Sequence, residues 1–420
     1  GTLTGLAQIV AEELECDWSK VTTEYPTPGQ SVARKRVWGD FSTGGSRGIR
    51  MSHEYVRKGG ATAREMLIQA AADAWKVPAA ECSAANSVIT HGPSGRKTTY
   101  GNVAEAAARV TPPTSVVLKD PKDWKLIGKS VKRLDTVEKL AGEQVYGFDL
   151  KLPGMLNAAI KDCPVFGGKV KSFEAAKVTS MPGVRHVVQV GDSGVAVVAD
   201  TWWHAKKALD ALPIVFDEGP NAKVSSATIA DVLKAGLDAD QAFVGNQNGD
   251  VKAAIAGAAR KVEAVYSTPF LSHACMETMN ATVRLSADKA EVWVPTQNAE
   301  ASLASLSEES GVHISKCEVY KHDLGGGFGR RGGTQDFTRQ AAAIAKEFPG
   351  TPVKLIWSRE EDQAHDFFRP ISMCKFSAGL DENNNLVGLH VRVSGQSINA
   401  YLNPAAMAGG KDRRQLQGMW

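Results

Sequence analysis

Apolar positions along the chain return in two rhythms. In the opening run LTGLAQIVAEEL and in ATAREMLIQAAADAW (61–75) they recur every three or four residues, which gathers them on one helix face and predicts helices ending near Leu14 and Trp75. The same rhythm predicts helices over TWWHAKKALDAL (201–212), AEASLASLSEES (299–310) and QDFTRQAAAIAKEF (335–348). Short runs rich in β-branched and aromatic residues predict strands: KVTTEY (20–25), VRHVVQV (184–190), SGVAVVAD (193–200) after a Gly-Asp-Ser-Gly turn, PIVFD (213–217), KVEAVYSTPF (261–270) and two within 280–296. CEVYKHDL (317–324), PVKLIWS (352–358) and NLVGLHVRVSG (385–395) add three more. No fixed-period repeat is present. The pattern predicts a multidomain α+β protein. Its divisions are an α+β segment over 1–112, a proline-bearing linker over 113–124, a small α/β unit over 125–220 and a larger region over 221–420, with the polar stretch 218–250 as separator.

With 43% apolar and 23% charged residues the chain has an ordinary globular balance, and 420 residues suffice for several cores. Lys and Arg exceed Asp and Glu by 49 − 46 = 3 with no block of like charges, so neither nucleic acid nor an anionic membrane is implied as a partner. No run approaches the roughly 18 residues that cross a bilayer, and no charged-then-apolar leader opens the chain. Beginning inside a helix and stopping at Trp420, the sequence is expected to be a processed or incomplete piece of a longer polypeptide. Its six cysteines are scattered without a CxxC pair, against a zinc knuckle or a self-contained iron–sulfur site.

The candidate chemistry centres on HDLGGGFGRRGG (322–333), where a strand ends and a helix approaches, a junction that exposes unpaired N–H groups. Gly327, Gly329 and Gly332 satisfy GxGxxG, which with the helix and strand behind leaves an NAD(P)-dependent dehydrogenase open as one function. A ligand-free turn is the other simple meaning. Arg330 and Arg331 offer bidentate contacts to phosphates or a carboxylate, or else form a solvated or bridging pair. TGGSR (43–47) is either a surface turn or a second anion-cradling loop. His273 and Glu277, four apart, are expected to serve packing rather than a metal, and the charged run SREEDQAHDFFRP is expected to be a solvated face without catalysis.

The order of these pieces resembles the molybdenum hydroxylases, the xanthine dehydrogenase and aldehyde oxidase family. PTQNAEASLASLSEESGVHISKCEVYKHDLGGGFGRR fits the family's Thr-Gln-Asn strand end, helix, strand and GGGFG loop, and LSHACMETMNATV looks like its upstream His-bearing segment. LIGKSVKRLDTVEKLAGEQVYGFDLKLPGMLNAAI with VVADTWWHAKKALDAL looks like its a/b hammerhead domain over 125–220. A GGSR segment before the hammerhead and Arg-Arg after GGGFG resemble the large subunits of isoquinoline 1-oxidoreductase type.

The resemblance implies a large subunit that oxidises an N-heteroaromatic or aldehyde carbon with oxygen from water. It implies molybdopterin cytosine dinucleotide with molybdenum, and electrons leaving through [2Fe-2S] clusters of a small partner subunit, with a cytochrome c subunit as a further partner. Gln297 would then hydrogen-bond an oxygen ligand of the metal, as would the amide of Phe328. Gly326, Gly327, Phe328, Gly329, Arg330 and Arg331 would bind the cofactor together with Gly44, Gly45, Ser46 and Arg47. Glu277 would touch substrate, and no side chain would ligate the metal. The 1–112 segment and the 221–420 region, incomplete at its C-terminal end, would be molybdopterin-binding. The family's catalytic glutamate, in a Gly-x-Gly-Glu setting, has no match here, so the remaining C-terminal part of the subunit is expected to supply it. A non-catalytic assembly subunit stays open as a third function. Relatives of this type imply a periplasmic or membrane-associated place.

Overall fold

The structure is a computed structural model that describes residues 1–35 and 41–412. It forms two compact units, divided between Val145 and Tyr146.

In the first unit α1 (Thr2–Leu14), α2 (Pro28–Ala33), α3 (Arg47–Arg50) and α4 (His53–Trp75) precede a three-stranded antiparallel sheet. The sheet is β1 (Cys82–Ala85), β2 (Val88–His91) and β3 (Lys97–Thr99), followed by α5 (Tyr100–Ala107) and α6 (Thr136–Ala141). Helix α4 starts eight residues before the expected 61, because Gly59 and Gly60 do not break it. A Cβ on Gly60 would stand 2.8 Å from the carbonyl oxygen of Val10 and 3.0 Å from Cβ of Glu13, so glycine is what lets α1 and α4 lie together. The expected strand at 20–25 is absent. Residues 21–27 run without a ladder partner, and Pro26 and Pro28 lack the N–H that one would need.

The proline-bearing linker is tied down. Glu12, 2% exposed, accepts the N–H groups of Lys125 at 2.8 Å, Leu126 at 2.5 Å and Ile127 at 3.0 Å and pairs with the ammonium of Lys119. Buried Glu13 pairs with Arg57 at 2.7 Å, and Arg57 donates to the carbonyl of Lys119 at 2.6 Å. Burial pushes the Glu12 carboxyl up, but Lys119 and the N–H groups of Leu126 and Ile127 outweigh it and hold the carboxyl below its usual range.

The second unit begins with β4 (Leu156–Asp162), β5 (Lys169–Phe173), β6 (Val184–Val190), β7 (Gly194–Ala199), α7 (Trp202–Ala211) and β8 (Ile214–Asp217). Then come α8 (Ser226–Leu237), α9 (Val251–Ala256), β9 (Arg260–Thr268), β10 (Asn280–Leu285), β11 (Ala290–Val294), α10 (Ala299–Ser310) and β12 (Cys317–Lys321). The described part closes with α11 (Asp336–Ala345), β13 (Val353–Ile356), α12 (Arg359–Ala364), β14 (Ser372–Leu380), β15 (Leu386–Gly395) and α13 (Ile398–Leu402).

A seven-stranded mixed sheet in the order β12-β11-β10-β13-β4-β7-β6 carries the unit, with α7, α10 and α11 packed on it. Strand β4 runs parallel beside β13, Leu156 opposite Val353, so one sheet draws strands from both sides of residue 220. Its core is aliphatic: Val195, Val197, Val283, Val292, Val319 and Leu355 are all fully buried. A second sheet, β15-β14-β9, packs against α8 and α9. Helix α8 lies in the stretch expected to be an irregular separator. Ser225 and Thr228 form a capping box ahead of Leu233 and Leu237, a start signal with an apolar stripe.

Candidate functional site

The glycine run occupies the connection from β12 to α11, residues 322–335. Strands β12 and β13 are separated in the sheet by β11 and β10, and α11 opens only at Asp336, four positions after Gly332. A dinucleotide fingerprint needs its glycines in the turn that opens the helix between neighbouring parallel strands. The GxGxxG match at 327–332 therefore lacks its context, and the nicotinamide expectation falls with it.

The loop is fastened from below by Glu277, at the entry to β10. Its Oε2 accepts the N–H of Gly325 at 2.9 Å, while its own N–H donates to the carbonyl of Gly325 at 2.9 Å. Oε1 accepts the N–H of Phe148 at 3.2 Å and Nδ2 of Asn280 at 3.1 Å. This buried carboxylate is committed to the loop, which corrects the expectation that Glu277 faces a substrate.

From the side comes Gln297, placed where β11 ends and Asn298 caps α10. Its Oε1 accepts the N–H of Gly329 at 2.9 Å, and its N–H donates to the carbonyl of Arg331 at 3.0 Å. A Cβ on Gly327 would stand 2.6 Å from that Oε1, so Gln297 reaches Gly329 only across a glycine. Gln297 and the loop, expected to act together, are in contact.

Arg330 and Arg331 turn inward. Arg331 is fully buried, and its guanidinium donates to the carbonyls of Gly326 at 2.9 Å, Glu277 at 2.5 Å, Thr278 at 3.2 Å and Pro295 at 3.3 Å. Arg330, 2% exposed, holds Asp336 through two 2.8 Å bonds, donates to Oγ1 of Thr334 at 3.0 Å and lies over the rings of Phe367 and Trp357. Burial works against its charge, and Asp336 and Asp366 more than restore it. With these donors spent inside, neither guanidinium is presented to phosphates or a substrate carboxylate as expected. They are the frame of the loop.

What the frame presents is backbone. Gly326 (φ +110°), Phe328 (φ +54°) and Gly329 (φ +108°) lie at positive φ, and the Phe328 ring stands 64% exposed. The left-handed region is costly for phenylalanine and persists only where the surroundings impose it. The N–H groups of Gly326, Gly327 and Phe328 have no acceptor among the described residues. Three successive backbone donors in an irregular loop are suited to an anion or a polarised oxygen. In the first unit, Gly45 and Ser46 also lie at positive φ, at +56° and +54°, in an exposed turn. There Arg47 donates to Oγ of Ser42 at 2.6 Å.

The segment expected to be a solvated face turns three of its carboxylates inward. Glu361, Asp362 and Asp366 are all below a tenth exposed. Asp366 accepts from Oγ of Ser272 at 3.0 Å and from the backbone N–H of His273, lies 2.9 Å from Nε of Arg330, and holds Nδ1 of His273 at 3.0 Å from each oxygen. Among the described residues no group of three or more His, Cys, Asp or Glu is arranged to hold a metal ion.

Two segments match the molybdopterin cofactor-binding domain description, residues 1–132 and residues 237–407. The chain belongs to the molybdenum hydroxylase family, as a molybdopterin-binding large-subunit chain. It is 28% identical to isoquinoline 1-oxidoreductase subunit beta of Brevundimonas diminuta, over 96% of this chain and 57% of that one. It is also 28% identical to the membrane-bound aldehyde dehydrogenase [pyrroloquinoline-quinone] of Gluconacetobacter polyoxogenes, over 97% and 54%. The chain thus spans little more than half the length of these relatives. Its fold is like that of quinoline 2-oxidoreductase from Pseudomonas putida 86, with a TM-score of 0.52 at 20% identity over 63% of this chain and 39% of that one.

Proposed function

We propose that this chain holds molybdopterin cytosine dinucleotide in a molybdenum-dependent oxidoreductase that oxidises an aldehyde or N-heteroaromatic carbon with oxygen from water. Electrons pass to a small [2Fe-2S] subunit and onward to a cytochrome c subunit. The observation that carries the proposal is the row of N–H donors at Gly326, Gly327 and Phe328, held open by Glu277, Gln297 and Arg331. Such donors fit a polarised oxygen, and side chains able to ligate a metal are not needed if the pterin carries it.

When bound, the cofactor supplies the two-electron oxidation and the activated oxygen. The protein's part is positional. Phe328 and Gly327 orient an oxygen of the bound group through their N–H groups, Gln297 fixes the curvature of the loop, and the exposed Phe328 ring offers an apolar face to a flat substrate. Within the first unit, Gly44, Gly45, Ser46 and Arg47 form an anion-binding turn. The remaining part of the large subunit supplies the catalytic glutamate. A periplasmic or membrane-associated place goes with the reading, supported by the name of the membrane-bound relative.

The test is to purify the full-length protein with its co-expressed partners and to measure molybdenum and cytosine-dinucleotide content. Oxidation of benzaldehyde and of isoquinoline is then followed with an artificial electron acceptor. Stoichiometric molybdenum and turnover of either substrate are expected. Turnover without molybdenum refutes the proposal.

A further inference from the structure

The sheet β15-β14-β9 is polar on its covered face and apolar on its open one. Helix α9 lies against the covered face, where a Cβ on Gly379 would stand 2.7 Å from Cβ of Ala258 and one on Gly388 3.0 Å from Cγ1 of Ile255. Helix α8 lies on the same face, its Gly236 against Ser394. Alternation along the strands puts Glu263, Lys375, Ser377 and Arg392 on that side. They pair there: Ser377 donates to Glu263 at 2.9 Å, Lys375 meets Asp238 at 3.0 Å and Arg392 donates to the carbonyl of Gly236 at 3.4 Å. Across the other face Val262 stands beside Ala378 and Leu389, and Tyr266 beside Cys374 and Val393. Phe376 lies between these ranks, its ring edge-on to Tyr266 with centroids 5.7 Å apart. No charged residue stands in the ranks from Val262 to Tyr266, yet Tyr266 is 64%, Leu389 48% and Val262 39% exposed.

An antiparallel sheet with one face in water keeps its polar residues there and its apolar ones on the covered side. Here the order is reversed, which marks a middle layer whose second cover lies outside the described residues. We propose that the open face of β15-β14-β9 is the docking surface for the part of the large subunit that follows residue 420, which lays an apolar layer over Tyr266, Phe376 and Leu389. This rests on the large-subunit reading above only in that a further part of the polypeptide exists. The chain spans 57% and 54% of the two relatives at 28% identity, so the length left over is ample for such a layer. A face without charge resembles a domain core cut in half, the mark of a permanent contact, whereas a redox partner that comes and goes is met by a more polar surface. Strand β15 is also the last strand among the described residues, and segments that follow one another in sequence usually pack side by side.

The test uses the full-length protein with its co-expressed partners. A Tyr266→p-benzoylphenylalanine variant is irradiated, and the cross-linked peptides are mapped by mass spectrometry. Cross-links to residues beyond 420 of the same polypeptide are expected. Cross-links that go instead to a second copy, to the small subunit or to residues 1–145 overturn the proposal, as does a photoprobe that reacts with solvent alone. Wild-type protein gives a second measurement that needs no substitution. Cys374, in the rank of Tyr266, is expected to resist N-ethylmaleimide until urea unfolds the chain, and its alkylation in the native protein overturns the proposal. Molybdenum content of the same wild-type preparation separates the two readings: protein without molybdenum that still protects Cys374 and gives the expected cross-link keeps the docking surface and refutes the cofactor assignment.

Discussion

Glu277 and Gly325 hold each other by two hydrogen bonds of 2.9 Å, one in each direction, across 48 residues of sequence. The pair joins the entry of β10 to the first part of the glycine loop, and the carboxylate's other oxygen collects two further donors. An acid is required here because three N–H groups converge on it. An amide has one acceptor oxygen where the carboxylate has two.

Glu277→Gln is therefore expected to strand one buried N–H and to cost about 1–3 kcal/mol. Urea titration of the purified protein measures the cost, and molybdenum content should fall with it. A variant as stable and as fully loaded as wild type removes Glu277 from the account.

Gly327→Ala places a methyl group 2.6 Å from Oε1 of Gln297 and 3.0 Å from its Cδ. The expected outcome is a folded protein that has lost cofactor, because the glutamine must leave the Gly329 N–H. Adding Gln297→Ala relieves the clash. In a double-mutant cycle of melting temperatures the second substitution is expected to recover stability in the Gly327→Ala background and to lose it in wild type.

Burial drives the carboxyl of Glu361 up to about 8, against the N–H of Asp162, which donates to it at 2.8 Å. A carboxyl raised from its ordinary 4.5 holds its proton in the folded chain while the unfolded chain has released it. Stability is therefore full below about 4.5 and declines as pH rises toward 8. Glu361→Gln keeps an acceptor for Asp162 and is expected to flatten the urea midpoint across that window. A midpoint in wild type that does not decline between those values contradicts the assignment.

In the first unit, Glu12→Ala leaves three N–H groups at 125–127 without their acceptor and the ammonium of Lys119 with Glu15 as its remaining carboxylate. A loss of about 2–4 kcal/mol is expected from the stranded donors, with faster hydrogen exchange confined to residues near 119–127. Uniform exchange rates through the linker in both proteins speak against the clasp.

Much of this was legible in the sequence where local rules agree with the fold. The expected helix at 299–310 coincides with α10 because Asn298 caps it and Gly311 ends it, both local signals. The contact of Gln297 with the glycine loop followed from a family pattern, not from spacing. What stayed hidden depends on partners far along the chain. Gly60 reads as a helix breaker until Val10 is known to lie against it. Arg330, Glu361 and Asp366 read as surface charges until one sees that each meets its counterpart inside. Helix α8 was within reach, since Ser225 and Thr228 spell its start, but the surrounding glycines and asparagines outweighed them.

The pairing of β4 with β13 has a consequence for how the chain is made. From Ala199, where β7 is complete, to Val353 is 353 − 199 = 154 positions, which at about 5–20 residues per second take a ribosome roughly 8–30 s. For that interval the β4 edge of the β4-β7-β6 half-sheet stands bare, aliphatic on its faces and open to any passing strand. Nascent chains of this protein are thus most vulnerable to aggregation midway through synthesis, and slowing the ribosome between those points lengthens the danger.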